Sequence, residues 1–144
     1  MITDAEIKLL RGLTKKEPHT AKMDVEGKAY LYSKWFVLEL PVTLFDPAYS
    51  DWEEPRGDVQ TWRSVMPEGE GEYASASRWT NPEDNLALVK LISGAGVAII
   101  HPSIYDVVMK QLPEPEFRVF DGEHSFVAIF SAGVMVGGVA QVKL

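Results

Sequence analysis

The sequence predicts an α+β fold: an antiparallel sheet with two or three helices, in one domain spanning residues 1–144. Three observations carry this. The C-terminal third, His101 to Leu144, reads helix, strand, turn, strand, turn, strand without interruption. The stretch from Ala29 to Leu40 is dense in aromatic and aliphatic residues and breaks near Ser33-Lys34, as two hairpin strands do. The helical segments sit among these hairpins rather than alternating with single strands, the arrangement a parallel sheet would need.

Taken in order, Thr3 and Glu6 form a capping box at the start of a helix that runs to about Lys16, before Pro18. On a helical wheel, Ile7, Leu9, Leu10 and Leu13 share one side, and Lys8, Arg11, Lys15 and Lys16 gather on the other. Asp24 to Lys28 reads as a hairpin turn leading into the two strands, and Pro41, lacking an N–H for the ladder, ends them. Residues 41–81 are irregular and rich in Pro and Trp, with a short helical turn expected at Thr61–Val65. Trp52, Trp62 and Trp79 mark this region as ordered loop docked on a core, because a disordered linker lacks such residues. Asn81-Pro82-Glu83-Asp84 has the chemistry of a helix start, predicting a helix through Leu88, Leu91 and Ile92. A short buried strand follows at Val97–Ile100. A helix opening at Pro102 then carries Ile104, Val107, Val108 and Leu112, with His101 as a candidate cap. The last strands are Phe117–Phe120, Phe126–Phe130 and Val134–Leu144, with turns at Asp121-Gly122 and Ser131–Gly133.

Composition narrows the function classes. The 144 residues, 46% hydrophobic and 24% charged, suffice for one sizeable core without a metal or disulfide staple. The absence of cysteine removes disulfides, thiolate nucleophiles and Cys-ligated zinc, and fits a reducing compartment. The polar, acidic N-terminus is no signal peptide, and no apolar run reaches the ~20 residues that cross a bilayer. A cytoplasmic protein is expected. The net charge of −7 argues against coating nucleic acid over the whole surface but leaves room for a local basic face.

No stretch carries a catalytic signature, so the expectation is a non-enzyme with no cofactor. His19, His101 and His124 share no metal-ligand spacing. Glu68, Glu70 and Glu72 alternate with glycine, which suits a hard cation in principle, but the pattern lacks the spacing of a calcium loop and reads as a solvated loop. Gly133, Gly137 and Gly138 precede no helix and no Lys-Ser/Thr, so they mark a bulge or close strand packing rather than a phosphate loop. The tryptophans read as packing residues or as anchors for bases or a partner. The basic face Lys8, Arg11, Lys15 and Lys16 is the candidate DNA contact, although an ordinary solvated helix face has the same pattern.

Three stretches give the chain a family likeness. His101-Pro-Ser-Ile-Tyr-Asp-Val-Val-Met-Lys-Gln-Leu112 resembles the Asn-Pro-x-Tyr-Leu-x-x-x-Leu-x-x-Leu helix of the bacterial DNA sliding clamps, the processivity factors of replicative polymerases. Trp62-Arg-Ser-Val-Met-Pro67 is similar to their Tyr/Trp-x-x-Val-Ile/Met-Pro element, and Val139-Ala-Gln-Val-Lys-Leu144 to their closing Met-Pro-Met-Arg-Leu. The resemblance implies a DNA-clamp-like domain whose first helix lines a hole around DNA, with non-sequence-specific phosphate contacts. It also implies an apolar groove for linear motifs of polymerases or other host replication proteins. Lys34, Trp35, Phe36, Ala140 and Val142 fall near that groove. The family's Asp-Gly-His hairpin is absent at Ser33–Trp35 and its terminal Met-Pro is Ala140-Gln141 here, so the groove's preference is expected to differ. One such domain needs several copies to encircle DNA, hence an expected homo-oligomer. The alternatives are a phage-type inhibitor or decoy that binds a host protein, a phage particle component, and an enzyme assembled from residues distant in sequence.

Overall fold

The computed structural model describes residues 21–23, 28–32, 35–41, 62–122 and 126–143. The elements in chain order are β1 (Ala21–Met23), β2 (Lys28–Tyr32), β3 (Phe36–Pro41), α1 (Trp62–Val65), β4 (Glu72–Tyr73), β5 (Ser75–Thr80), β6 (Ala87–Ser93), β7 (Gly96–Ile100), α2 (Pro102–Gln111), β8 (Pro115–Val119), β9 (Phe126–Ser131) and β10 (Val134–Ala140). They build two antiparallel sheets, one of seven strands ordered β1-β2-β3-β10-β9-β8-β4 and one of three ordered β5-β6-β7. The α+β class holds. The expected first helix and Lys8, Arg11, Lys15, Lys16 and Lys34 lie outside the described residues.

Hydrophobic alternation explains how the larger sheet is buried on both sides. Leu31, Phe36, Leu38, Leu40, Phe117, Val119, Val127, Ile129 and Val139 face the smaller sheet and α2. Tyr30, Tyr32, Phe120, Ala128 and Phe130 form a second cluster with Trp62 and Met66, which follow from α1. Strand β9 sits inside the sheet, and Val127 through Phe130 are all buried, the run expected of a strand covered on both faces. The smaller sheet supplies Val89, Leu91, Ala98 and Ile100 to the main core. Helix α2 closes it with Ile104, Val107 and Val108, at the i, i+3, i+4 spacing of one helical face.

Local chemistry sets the ends of these elements. Pro102 opens α2, where its missing N–H costs nothing. His101 occupies the N-cap in extended backbone but makes no side-chain cap bond, so it does not act as the expected cap. Ala132 and Gly133, both at positive φ, join β9 to β10 in a two-residue turn whose twist suits a hairpin. The ladder between β10 and β9 shifts register between Met135 and Gly137, the irregularity the glycines suggested.

The last strand, expected to run to Leu144, ends at Ala140, and two further expectations fail. Residues 72–80, placed in the irregular region, form β4 and β5. The helix expected after Asn81 is instead a turn followed by β6. Asn81 Oδ1 accepts the N–H of Glu83 at 3.1 Å, as a helix cap would. The chain then reverses: Asn81 N–H donates to Leu86 O at 2.9 Å, and Asn85 adopts a left-handed φ of 57°. Ala74 lies between β4 and β5. Its N–H bonds Phe117 O of the larger sheet, and the next residue already belongs to the smaller one.

Candidate functional site

The concave feature that gathers residues from both ends of the described chain is a cleft of about 550 Å³. The start of β3 contributes Trp35 and Phe36, and the start of β9 contributes Phe126. The first turn of α2 presents Ile104, beside the N-cap residue His101. The end of β10 and the segment after it bring Val139 through Lys143.

Backbone pairing places these residues. Val139 is registered with Phe36 across β10 and β3, and Ala140 N–H donates to Trp35 O at 2.7 Å. Beyond β10 the chain turns toward the other sheet, where Val142 N–H donates to Ile99 O at 2.8 Å. The C-terminal segment is thereby fixed as one wall of the cleft. Phe36, Ile104 and Val139 form its buried floor, and Trp35, 43% exposed, stands at the rim.

The lining is mainly apolar, with His101, Gln141 and Lys143 as its polar members among the described residues. Burial lowers the pKa of His101 from its ordinary 6.5, so at neutral pH the imidazole offers one donor and one acceptor without charge. Lys143 is exposed and carries the charge at the mouth. No carboxylate or hydroxyl nucleophile stands among the described lining residues. The arrangement is suited to holding an apolar segment, and its volume lies in the usual range for ligand clefts.

Of the residues the sequence pointed to, Trp35, Phe36, Ala140 and Val142 come together in this cleft. His101, Ile104, Phe126 and Gln141 were not singled out as cleft residues. The signal for His101 and Ile104 was present, since a helix entered directly from β7 places its first turn beside that strand's end. Nothing in the sequence marks Phe126. A second, acidic depression of about 400 Å³ lies between the 67–72 turn and residues 119–121, lined by Glu68, Glu70, Glu72 and Asp121. Arg118 pairs with Glu70 and Glu116, and among the described residues no three acidic or imidazole groups converge on one ion position. Trp62 is buried in the second cluster, whereas Trp79 carries Lys90 Nζ 4.2 Å from its ring centroid. No helix among the described residues is long and apolar enough to cross a membrane.

No family model, curated protein or solved structure matches this chain.

Proposed function

We propose that this chain is a non-enzymatic, clamp-like protein of the DNA replication machinery, working in the cytoplasm. Its cleft takes a short apolar segment of a polymerase or another replication protein. One observation carries the reading. Residues assigned to a partner groove by resemblance alone, near position 35 and near position 141, line a single apolar cleft. The complementary ligand is an extended segment with bulky apolar side chains for the Phe36, Ile104 and Val139 floor and an acidic residue for Lys143.

The test is a fluorescence-anisotropy titration with labelled peptides of that composition and scrambled controls. Wild type should prefer the apolar-acidic peptides. Val142→Asp, which sets a carboxylate in the wall, should weaken binding by at least about tenfold while the chain stays folded by circular dichroism. Equal affinity in wild type and a folded Val142→Asp variant would overturn the assignment of the cleft.

A further inference from the structure

The smaller sheet has two edges, and they are treated differently. On β7, Ile99 O accepts Val142 N–H, so this edge is partly covered by the C-terminal segment. That bond also fixes the phase of the whole sheet, because the N–H and C=O of one residue in an antiparallel strand point to the same side. Ile99 faces away from β6, so its partner Lys90 faces β5 and bonds Ser77. Ser75, Ser77 and Trp79 thus spend their backbone groups on β6. Ala76, Arg78 and Thr80 point theirs outward, are exposed, and have no backbone partner among the described residues.

An open edge of this length is a template for another strand, and natural edges are ordinarily blocked by proline, lysine, a bulge or an inward charge. β5 has no proline, lysine or bulge: its sequence is Ser-Ala-Ser-Arg-Trp-Thr, its register with β6 is unbroken, and its one charge, Arg78, lies on the face of buried Val89. Its single charge is drawn away, since the Arg78 guanidinium pairs with Asp106 of α2. The other edges are poor partners for it. β1 and β4 are three and two residues long, and β7 is partly covered.

We infer that β5 pairs antiparallel with β5 of a second copy of this chain, about a two-fold axis through Ser77, giving one continuous sheet β7-β6-β5-β5-β6-β7. This register uses nearly the full strand. It sets Ala76 opposite the partner copy's Arg78 in hydrogen-bonded pairs, and Ser77 opposite its own copy in a close pair where a small side chain is needed. A register centred on Arg78 would oppose two guanidinium groups and is disfavoured. The chosen register also lays Trp79 over Ser75 of the other copy, beside Ile92, which is paired with Ser75 and is 45% exposed in the single chain. Because the contact is self-complementary, it closes at two copies and does not propagate. β5 shares no residue with the cleft lining, so pairing and peptide capture succeed or fail separately.

The chain has no cysteine, which makes a disulfide test free of background. Opposed close-pair positions in antiparallel strands lie within disulfide reach. The full-length chain carrying Ser77→Cys, oxidised with diamide, should give a covalent dimer in high yield, and Val134→Cys, exposed on β10, should not. Sedimentation equilibrium of the unmodified chain should return twice 16.1 kDa. Adding Ala76→Pro, which removes an outward N–H that bonds no described residue, should restore the monomer mass and abolish the cross-link. A monomer at the highest soluble concentration, or a dimer in which Ser77→Cys links no better than Val134→Cys, overturns the proposal. If Ala76→Pro does not fold, the first two measurements decide alone.

Discussion

His101 is where one side chain's chemistry meets the cleft. It occupies the N-cap of α2 without capping it, and lines the apolar cavity instead. Desolvation holds its folded-state pKa below 6.5. Between that lowered value and 6.5 the unfolded chain binds more protons than the folded one, so stability falls as pH drops through this window and levels off beneath it. Thermal unfolding from about pH 7.5 down to about pH 5 should therefore show a steeper loss in wild type than in His101→Gln. The difference isolates His101 from the other histidines, and identical slopes would contradict its desolvation. Glu39 on β3 is another residue whose setting matters. Its side chain is nearly buried, and both carboxylate oxygens accept from Arg63 Nη2, at 3.3 and 3.2 Å. The guanidinium also lies 4.9 Å from the Trp62 ring centroid, so the turn of α1 is held by charge and aromatic packing together.

Among the elements, β10 is the most tightly specified. A Cβ at Gly137 would come within 2.3 Å of Val37 O, a backbone atom of the paired strand. A Cβ at Gly138 would come within 2.7 Å of Met66 Sδ, the flexible end of a side chain. Gly137→Ala should therefore cost about 1–3 kcal/mol in urea unfolding and Gly138→Ala distinctly less, because thioethers repack and backbone does not. Equal losses would mean that β3 and β10 can separate. The elements also show what was legible beforehand. The hairpin strands β2 and β3, helix α2 and strands β8 to β10 were all readable, because turn residues or prolines bracket clear apolar patterns. β6 was not. Asn81-Pro82-Glu83-Asp84 makes the same side-chain-to-backbone bond whether a helix or a turn follows, and Ala-Leu-Val-Lys-Leu-Ile suits either period. The decision rests on Asn85 turning left-handed and on Asp84 Oδ1 taking the N–H of Leu86 at 3.0 Å. β5 was invisible for a different reason: it is a nearly all-exposed edge, so it has no buried alternation to read. The cleft was legible as resemblance and, at His101, from the direct passage of β7 into α2, whereas Phe126 joins it through packing that no local pattern marks.

At the scale of the molecule, a net charge of −7 confines any phosphate contact to a local basic face, and the proposed clamp-like reading is tested there. A chain that encircles DNA should be retained on closed circular duplex and slide off after linearisation. Lys8→Glu, Arg11→Glu and Lys15→Glu together should abolish retention while leaving the fold intact by circular dichroism. Indifference to both DNA forms would favour the host-protein inhibitor over the clamp-like reading, and a folded triple variant that stays bound would remove Lys8, Arg11 and Lys15 from the contact. A two-fold pair through β5 leaves a ring incomplete, so encirclement requires a second surface. The way the two sheets are attached has its own consequence. The smaller sheet is joined covalently to the larger at both of its ends, through Ala74 before β5 and through α2 after β7, and Val142 adds a hydrogen bond to Ile99 at the β7 edge. Both sheets also contribute to one hydrophobic core with α2, so the C-terminal segment is a strap laid across two layers that are already packed together. The cleft lies under that strap, so whatever fills it rests at once on the larger sheet, on the start of α2 and on the C-terminal segment.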